Sequence, residues 1–292
     1  MSGQCGGSYG TTFLINDSVK IAMTKIRQAH CHPTLFIKLS VMLHVLVLIS
    51  LIVAPDLWPW ALAVLISTHL LISAVGLWPR SNWLGPNWTR LPTAAADRNE
   101  IALTIDDGPD PIVTPQVLDL LDRFHAKATF FCIGDRVQQH PELCREIVRR
   151  GHSIENHSQH HRHYFSLLGM GGFAREIQAA QETIFSITGI YPKFFRAPAG
   201  LRNPFLQPVL SHLGLRLTSW TVRGFDTQEK DAEKVKNKLL SRLSPGAILL
   251  LHDGNAALTK ENIPIIVAVL PSLLDTANKA NLHLVTLQEA AL

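Results

Sequence analysis

Five of the chain's fourteen histidines fall between His152 and His163, in the stretch GHSIENHSQHHRHYF. His157 and His161 are four apart, and His157 and His160 three apart. On a helical turn either pair shares one face and could share a metal ion. Such a site needs a third ligand, commonly a carboxylate. The spacing alone does not choose between His160 and His161, and a merely polar or pH-sensitive loop has the same composition. A second candidate is the pair Asp106-Asp107 in TIDDGPDP. Adjacent side chains at a strand end point to different sides, so one carboxylate could hold a metal while the other faces a substrate. The rival reading is an ordinary Asp-Gly-Pro turn. Arg196 in RAPAG could orient a carboxylate or sit in a surface salt bridge. Asp226 lies in VRGFDT, and His252 closes the apolar run AILLLH, where a neutral core imidazole is the plain alternative.

The elements around these residues alternate. Short apolar runs stand at 101–105, 128–133, 153–156, 193–196, 215–220, 247–252 and 283–287. Between them lie segments with apolar spacing near 3.6, such as TPQVLDLLDRFHA and FAREIQAAQETIFSITG. Gly151, Gly189 and Gly214 follow periodic stretches as helix stops. Strand alternating with helix about seven times predicts a parallel α/β barrel or doubly wound sheet. In such folds chemistry gathers beyond the carboxyl ends of strands. All the candidates follow strands.

Their order is specific. Thr104-Ile105-Asp106-Asp107-Gly108-Pro109, His157-Ser158-Gln159-His160-His161, Arg196-Ala197-Pro198-Ala199, Arg223-Gly224-Phe225-Asp226-Thr227 and Leu250-Leu251-His252 together resemble the five motifs of the NodB-type polysaccharide deacetylases, carbohydrate esterase family 4. The resemblance covers about 100–290. It implies a distorted (β/α)7 barrel and a hydrolase acting on carbon–nitrogen bonds, which removes N-acetyl or related acyl groups from an amino sugar. O-acetyl esterase, a deformylase on a lipid-linked sugar, and an inactive glycan-binding relative are the alternatives. It also selects His161 over His160. By the same resemblance Asp106 is the general base, His252 the general acid, Arg196 and Asp226 their orienting partners, and Ala199 a backbone oxyanion donor. Asp107, His157 and His161 are the ligands of a divalent metal, zinc foremost, with cobalt or nickel possible. Three motif positions depart from the family pattern: Ala199 stands for a tyrosine, Arg223 for an aspartate and Thr227 for a tryptophan. These changes alter the pocket more than the chemical core.

The N-terminal part has a different texture. Between Lys38 and Arg80 the only formal charge is Asp56. Two apolar runs broken at Pro55-Asp56-Leu57-Trp58-Pro59-Trp60 are each long enough to span a bilayer. The expected organisation is a tail at 1–34, two transmembrane helices within 35–79 (35–54 and 59–78), a linker along the membrane surface at 80–99, and the catalytic domain at 100–292. Residues 1–98 hold seven Lys/Arg and three Asp/Glu, whereas 99–292 hold twenty of each. The net charge of +4 is thus N-terminal, and the neutral domain speaks against nucleic acid as a partner. The expected partners are a carbohydrate or lipid-linked glycan and the membrane, a bacterial inner membrane by the resemblance. Positive residues flank the hairpin and are missing from its loop, which places the domain in the cytoplasm; a single span would place it in the periplasm. The cysteines Cys5, Cys31, Cys132 and Cys144 form no CxxC, and Cys132 is expected to be a buried thiol.

Overall fold

The structure is a computed structural model that describes residues 32–292. The expected tail, with Cys5, Cys31 and the basic residues Lys20, Lys25 and Arg27, lies outside the described residues apart from its last three positions.

Two helices, α1 (Leu35–Val53) and α2 (Trp58–Gly76), pack as the expected hairpin around a short 3-10 turn at Pro55–Leu57. Both have the length and composition of candidate membrane spans. Ser40 and Val47 of α1 and Ala61, Thr68 and Val75 of α2 are buried, while most of the leucines and isoleucines face outward. The hydroxyls of Ser40, Ser50 and Thr68 donate to carbonyls three or four residues back. His44 and His69 each donate from Nδ1 to the carbonyl four residues back, and their rings meet edge-on at 5.1 Å.

After α3 (Thr93–Asp97) the strand–helix alternation begins. The strands are β1 (Glu100–Asp106), β2 (Ala128–Cys132), β3 (Ser153–Asn156), β4 (Phe194–Phe195), β5 (Arg216–Leu217), β6 (Val222–Arg223), β7 (Ile248–His252) and β8 (His283–Leu284). All pair in parallel, in the order β5-β4-β3-β2-β1-β7-β6, with β8 beside the start of β1. The connecting helices are α4 (Val113–Arg123), α5 (Gly134–Gln139), α6 (Pro141–Arg149), α7 (Met170–Thr188), α8 (Leu206–His212), α9 (Ala232–Leu240) and α10 (Ile265–Lys279), with α11 (Leu287–Ala290) closing the chain. The sheet curls into the distorted barrel expected from the motifs.

The pleat divides the core into two layers. Ile101, Leu103 and Ile105 of β1 and Leu249 and Leu251 of β7 face the helices. Ala102, Ile248 and Leu250 face the lumen with Phe131, Phe194 and Trp220. Because side chains alternate with period two, the lumen row of β1 continues through Thr104 to Asp106, and that of β7 ends at His252.

Three expectations change. The apolar run 215–220 yields only the two-residue β5; the chain then leaves the sheet and returns as β6, so Arg223 ends β6 and Asp226 follows it. The run 283–287 gives the two-residue β8, because Thr286 and Glu289 form a capping box that starts α11. Residues 80–99, expected to be a linker, pack into the barrel wall. Trp88 N–H donates to Leu217 O and Trp88 O accepts from Ser219 N–H (2.9 and 2.8 Å), while Leu91 N–H donates to Gly246 O (2.9 Å). This segment fills the seam between β5 and β6, whose unpaired edges need partners, and buries Leu84, Leu91 and Ala95.

Candidate active site

Asp106 ends β1 and sits opposite His252 of β7 in parallel register, with Phe131 of β2 on its other side. Its carboxylate is 3% exposed and accepts a 2.6 Å bond from Arg196, itself 1% exposed. Such burial of a charged pair demands full satisfaction. Arg196 also donates to Thr104 Oγ1 (2.8 Å), Thr218 O (3.2 Å) and Ser219 O (2.7 Å), and lies over the Phe131 ring at 4.1 Å. The guanidinium is therefore locked, and it fixes the rotamer of Asp106.

Asp107 does not continue the pleat to the far side. It takes a left-handed φ of 73° and brings its carboxylate back towards the histidines. Oδ1 lies 3.3 Å from both His157 Nε2 and His161 Nε2, and Asp106 Oδ2 lies 3.9 Å from His157 Nε2. Both carboxylates thus serve one site, against the expectation of opposite sides. Burial opposes ionisation of Asp107, but its bond to His157 and the fields of His157, His252 and His161 outweigh it and hold the carboxyl well below the usual range. Asn255 donates to Asp107 Oδ2 (3.2 Å).

His157 and His161 were expected to share a helical face. They lie on an irregular turn in which Ser158 and His161 have φ of 68° and 49°. Ser158 Oγ accepts from His161 N–H (3.1 Å), and Asn156 Oδ1 accepts from Ser158 N–H (2.9 Å). These local bonds compensate the left-handed backbone and bring the rings to 4.9 Å. His157 donates from Nδ1 to Arg196 O (2.8 Å), which turns its Nε2 to Asp107. Burial, with the His157 charge beside it, lowers the His161 pKa to about 4, so that ring is neutral near pH 7.

One ligand atom each from Asp107, His157 and His161 lies within 4.8 Å of the others. Two imidazole nitrogens and a carboxylate oxygen converging in this way form a donor set that suits a divalent, zinc-like cation. His160 points away: it is exposed and bonds Asp135 through Nδ1 (2.8 Å). His152 is buried, accepts from Ala128 N–H at Nδ1 and packs on Phe130, as expected of a structural histidine. His163 is exposed.

His252 is held twice by Asp226, whose Oδ2 accepts from the His252 N–H (2.7 Å) and whose Oδ1 faces Nδ1 at 2.9 Å. Burial works against the imidazolium, but the Asp226 bond and charge, with Asp106 and Asp107, prevail and raise its pKa. Ala199 lies exposed in the loop after β4 with φ 54°. Arg223 faces the lumen near Trp220 and Phe225 (5.8 and 5.1 Å).

A family model for polysaccharide deacetylase matches residues 93–218, a span holding Asp106, Asp107, His157, His161, Arg196 and Ala199. A peptidoglycan-N-acetylglucosamine deacetylase of Bacillus cereus is 35% identical over 191 residues, which are 65% of this chain and 86% of that protein. The chain belongs to the polysaccharide deacetylase family. A chitooligosaccharide deacetylase of Azorhizobium caulinodans is 36% identical over 54% of this deacetylase-family chain and 75% of its own. The crystal structure of the Bc1960 peptidoglycan N-acetylglucosamine deacetylase superposes with a TM-score of 0.63 at 26% identity, covering 70% of this chain and 92% of that one. The chain is accordingly a hydrolase of this family, with the family's curled parallel barrel.

Several supporting residues were missed in the sequence. Thr104 holds Arg196 from below, and Asp253 accepts from Thr114 Oγ1 (2.5 Å) and Gly254 N–H (2.8 Å), fixing the loop beyond His252. Glu155 is wholly buried and accepts from the backbone of Lys193 and Phe194 (2.7 and 2.8 Å), so it positions β4 and with it Arg196. Their only sequence signal is a polar residue within or just after an apolar strand.

Proposed function

We propose that this chain is a membrane-anchored, metal-dependent hydrolase that removes N-acetyl or related acyl groups from an amino sugar in a polysaccharide or lipid-linked glycan. The observation that carries the reading is the meeting of three units in one cleft: Asp107–His157–His161, Asp106–Arg196 and Asp226–His252. Asp107, His157 and His161 would hold the cation. A divalent metal, when bound, supplies Lewis-acid polarisation of the acyl oxygen and acidifies water.

The chain's own residues do the rest. Asp106 accepts the proton of the attacking water, and Arg196 aims that carboxylate. Its neighbour in register, His252, gives a proton to the leaving amine. Asp226 holds His252 in the tautomer and charge state that donation requires. The Ala199 N–H is assigned to the developing oxyanion. Ala199 in place of a bulky ring widens the cleft, and Arg223 gives its floor a positive charge; both bear on the choice of glycan rather than on the reaction.

Acetate release from N-acetylglucosamine oligomers by the metal-stripped full chain, with and without added zinc, tests the reading. Zinc-dependent release that disappears in Asp106→Asn is expected. Tight zinc binding without release would shift the reaction to formyl or ester substrates, or to glycan binding alone. The domain is assigned to the cytoplasmic side by the charges flanking the hairpin. A reporter fused after Leu292 that is active only in the periplasm would reverse that assignment.

A further inference from the structure

Outside the hairpin, most exposed large apolar side chains lie at one end of the barrel, with Phe185, Ile190 and Tyr191 the chief exceptions. Ile112, Leu167, Met170, Phe205, Phe225 and Leu258 all lie beyond the carboxyl ends of strands, around the cleft. The hairpin joins the domain at the same end. Arg202 N–H donates to Gly76 O at the end of α2 (3.2 Å), its guanidinium donates to Ser81 O, and Ser219 Oγ donates to Pro79 O (2.6 Å). Thr34, ahead of α1, donates to Trp83 O, and Phe36 packs on the Trp83 ring at 5.3 Å.

The attachment extends along the rim. Asn203, beside Arg202, donates to the carbonyls of Ser166 and Leu168 (2.9 and 2.8 Å). The Leu167 loop and the Phe205 loop are thus tied to each other and to the base of the hairpin. Leu167 is 82% exposed and Phe205 52%. Trp78 and Trp83, also about half exposed, stand at the base itself. If helices of this length cross a bilayer, their ends lie at headgroup level. Whatever is fastened to Gly76 and Ser81 lies there too, and tryptophans are the side chains suited to that depth.

We propose that the catalytic domain lies against the bilayer its own hairpin crosses, with Leu167, Met170 and Phe205 inserted beside Trp78 and Trp83, so that the cleft takes its glycan from the membrane surface. The proposal rests on the reading of the hairpin as membrane-spanning and of the cleft as a deacylase site. Continuity with the hairpin selects the occupant: this rim is an extension of a surface that already faces lipid. It also explains why isolated leucine and phenylalanine side chains stand in the open on loops that border a polar cleft.

The test uses the full chain in liposomes, with Cys5 and Cys31 replaced by serine and an environment-sensitive fluorophore on a single introduced cysteine. Cys132 and Cys144 are buried. Leu167→Cys and Phe205→Cys are compared with Leu48→Cys on the lipid-facing side of α1 and with Ile190→Cys at the far end of the barrel. Blue-shifted emission shielded from an aqueous quencher at positions 48, 167 and 205, but not at 190, is the expected result. Shielding at 48 with open labels at 167 and 205 overturns the proposal and leaves the hairpin reading intact. An open label at 48 overturns both. In a second arm, Leu167→Asp with Phe205→Asp should leave turnover of soluble oligomers within about twofold and lower turnover of a liposome-anchored amino sugar about tenfold or more. Equal loss on both substrates, or loss on neither, overturns the proposal.

Discussion

At the residue scale, one turn separates two adjacent histidines into different jobs. His161 is drawn under the Ser158 hydroxyl and faces Asp107, whereas His160 turns outward to Asp135. His161→Ala should therefore weaken zinc retention by more than about 100-fold, beyond the loss typical of outer-sphere changes, while His160→Ala should leave it unaltered. Competition with a chromogenic chelator measures both, and equal loss would refute the division of roles. In the proposed mechanism the Asp226–His252 pair sets the alkaline limit. The raised pKa keeps His252 protonated to higher pH than an ordinary imidazole, and activity that needs this proton falls once it is lost. Asp226→Asn removes the chief raising interaction, so the alkaline limb of kcat/KM should move to lower pH. Activity should drop by roughly 10- to 100-fold, part of what a positioned acid contributes. A pH–rate profile of the two proteins decides this.

At the element scale, the site depends on very short strands. β4 has two residues, and its register is held by the buried Glu155 carboxylate bonded to its first backbone amides. Burial raises the Glu155 pKa from 4.5 to about 7, against the opposing bonds from Gln288, Phe194 and Lys193. A carboxyl raised in the folded state contributes its full stability below about pH 4.5 and loses it as pH climbs towards 7. Glu155→Gln keeps an acceptor for the β4 amides and abolishes that titration. Its stability relative to the parent should rise by roughly 2–3 kcal/mol across this window. Denaturant unfolding at pH 4.5 and 7 measures the difference, and a constant gap would exclude Glu155 as its source. The same brevity explains what was hard to read: two-residue strands carry no period, so the runs at 215–220 and 283–287 overstated the length of β5 and β8, and β6 went unread. The longer β1, β2 and β7, wholly apolar on their helix-facing side, were plain.

At the scale of the molecule, the segment between hairpin and barrel is a wall rather than a tether. It supplies the hydrogen bonds that two unpaired edges need and buries Leu84, Leu91 and Ala95. A fragment of residues 100–292 should be less stable than one of 79–292 by at least about 3 kcal/mol, the scale of one or two buried leucines. Thermal unfolding of the two fragments gives the answer; equal midpoints would show the wall to be dispensable.

By itself the sequence determined the class of fold, the two apolar helices, and the candidate site residues, because those signals are local. Charge-free runs of about twenty residues, strand–helix alternation and acidic, imidazole and guanidinium groups at strand ends are all visible without coordinates. Spacing alone left His160 and His161 equivalent; a resemblance chose between them. The tertiary structure decided how the residues meet. The left-handed turn at Asp107 swings a second carboxylate into the site, the Ser158 turn replaces the expected helical face, and Arg196 reaches Asp106 across ninety positions of chain. Those outcomes depend on backbone reversals and on contacts between segments remote in sequence, and neither leaves a periodic trace in the order of the amino acids.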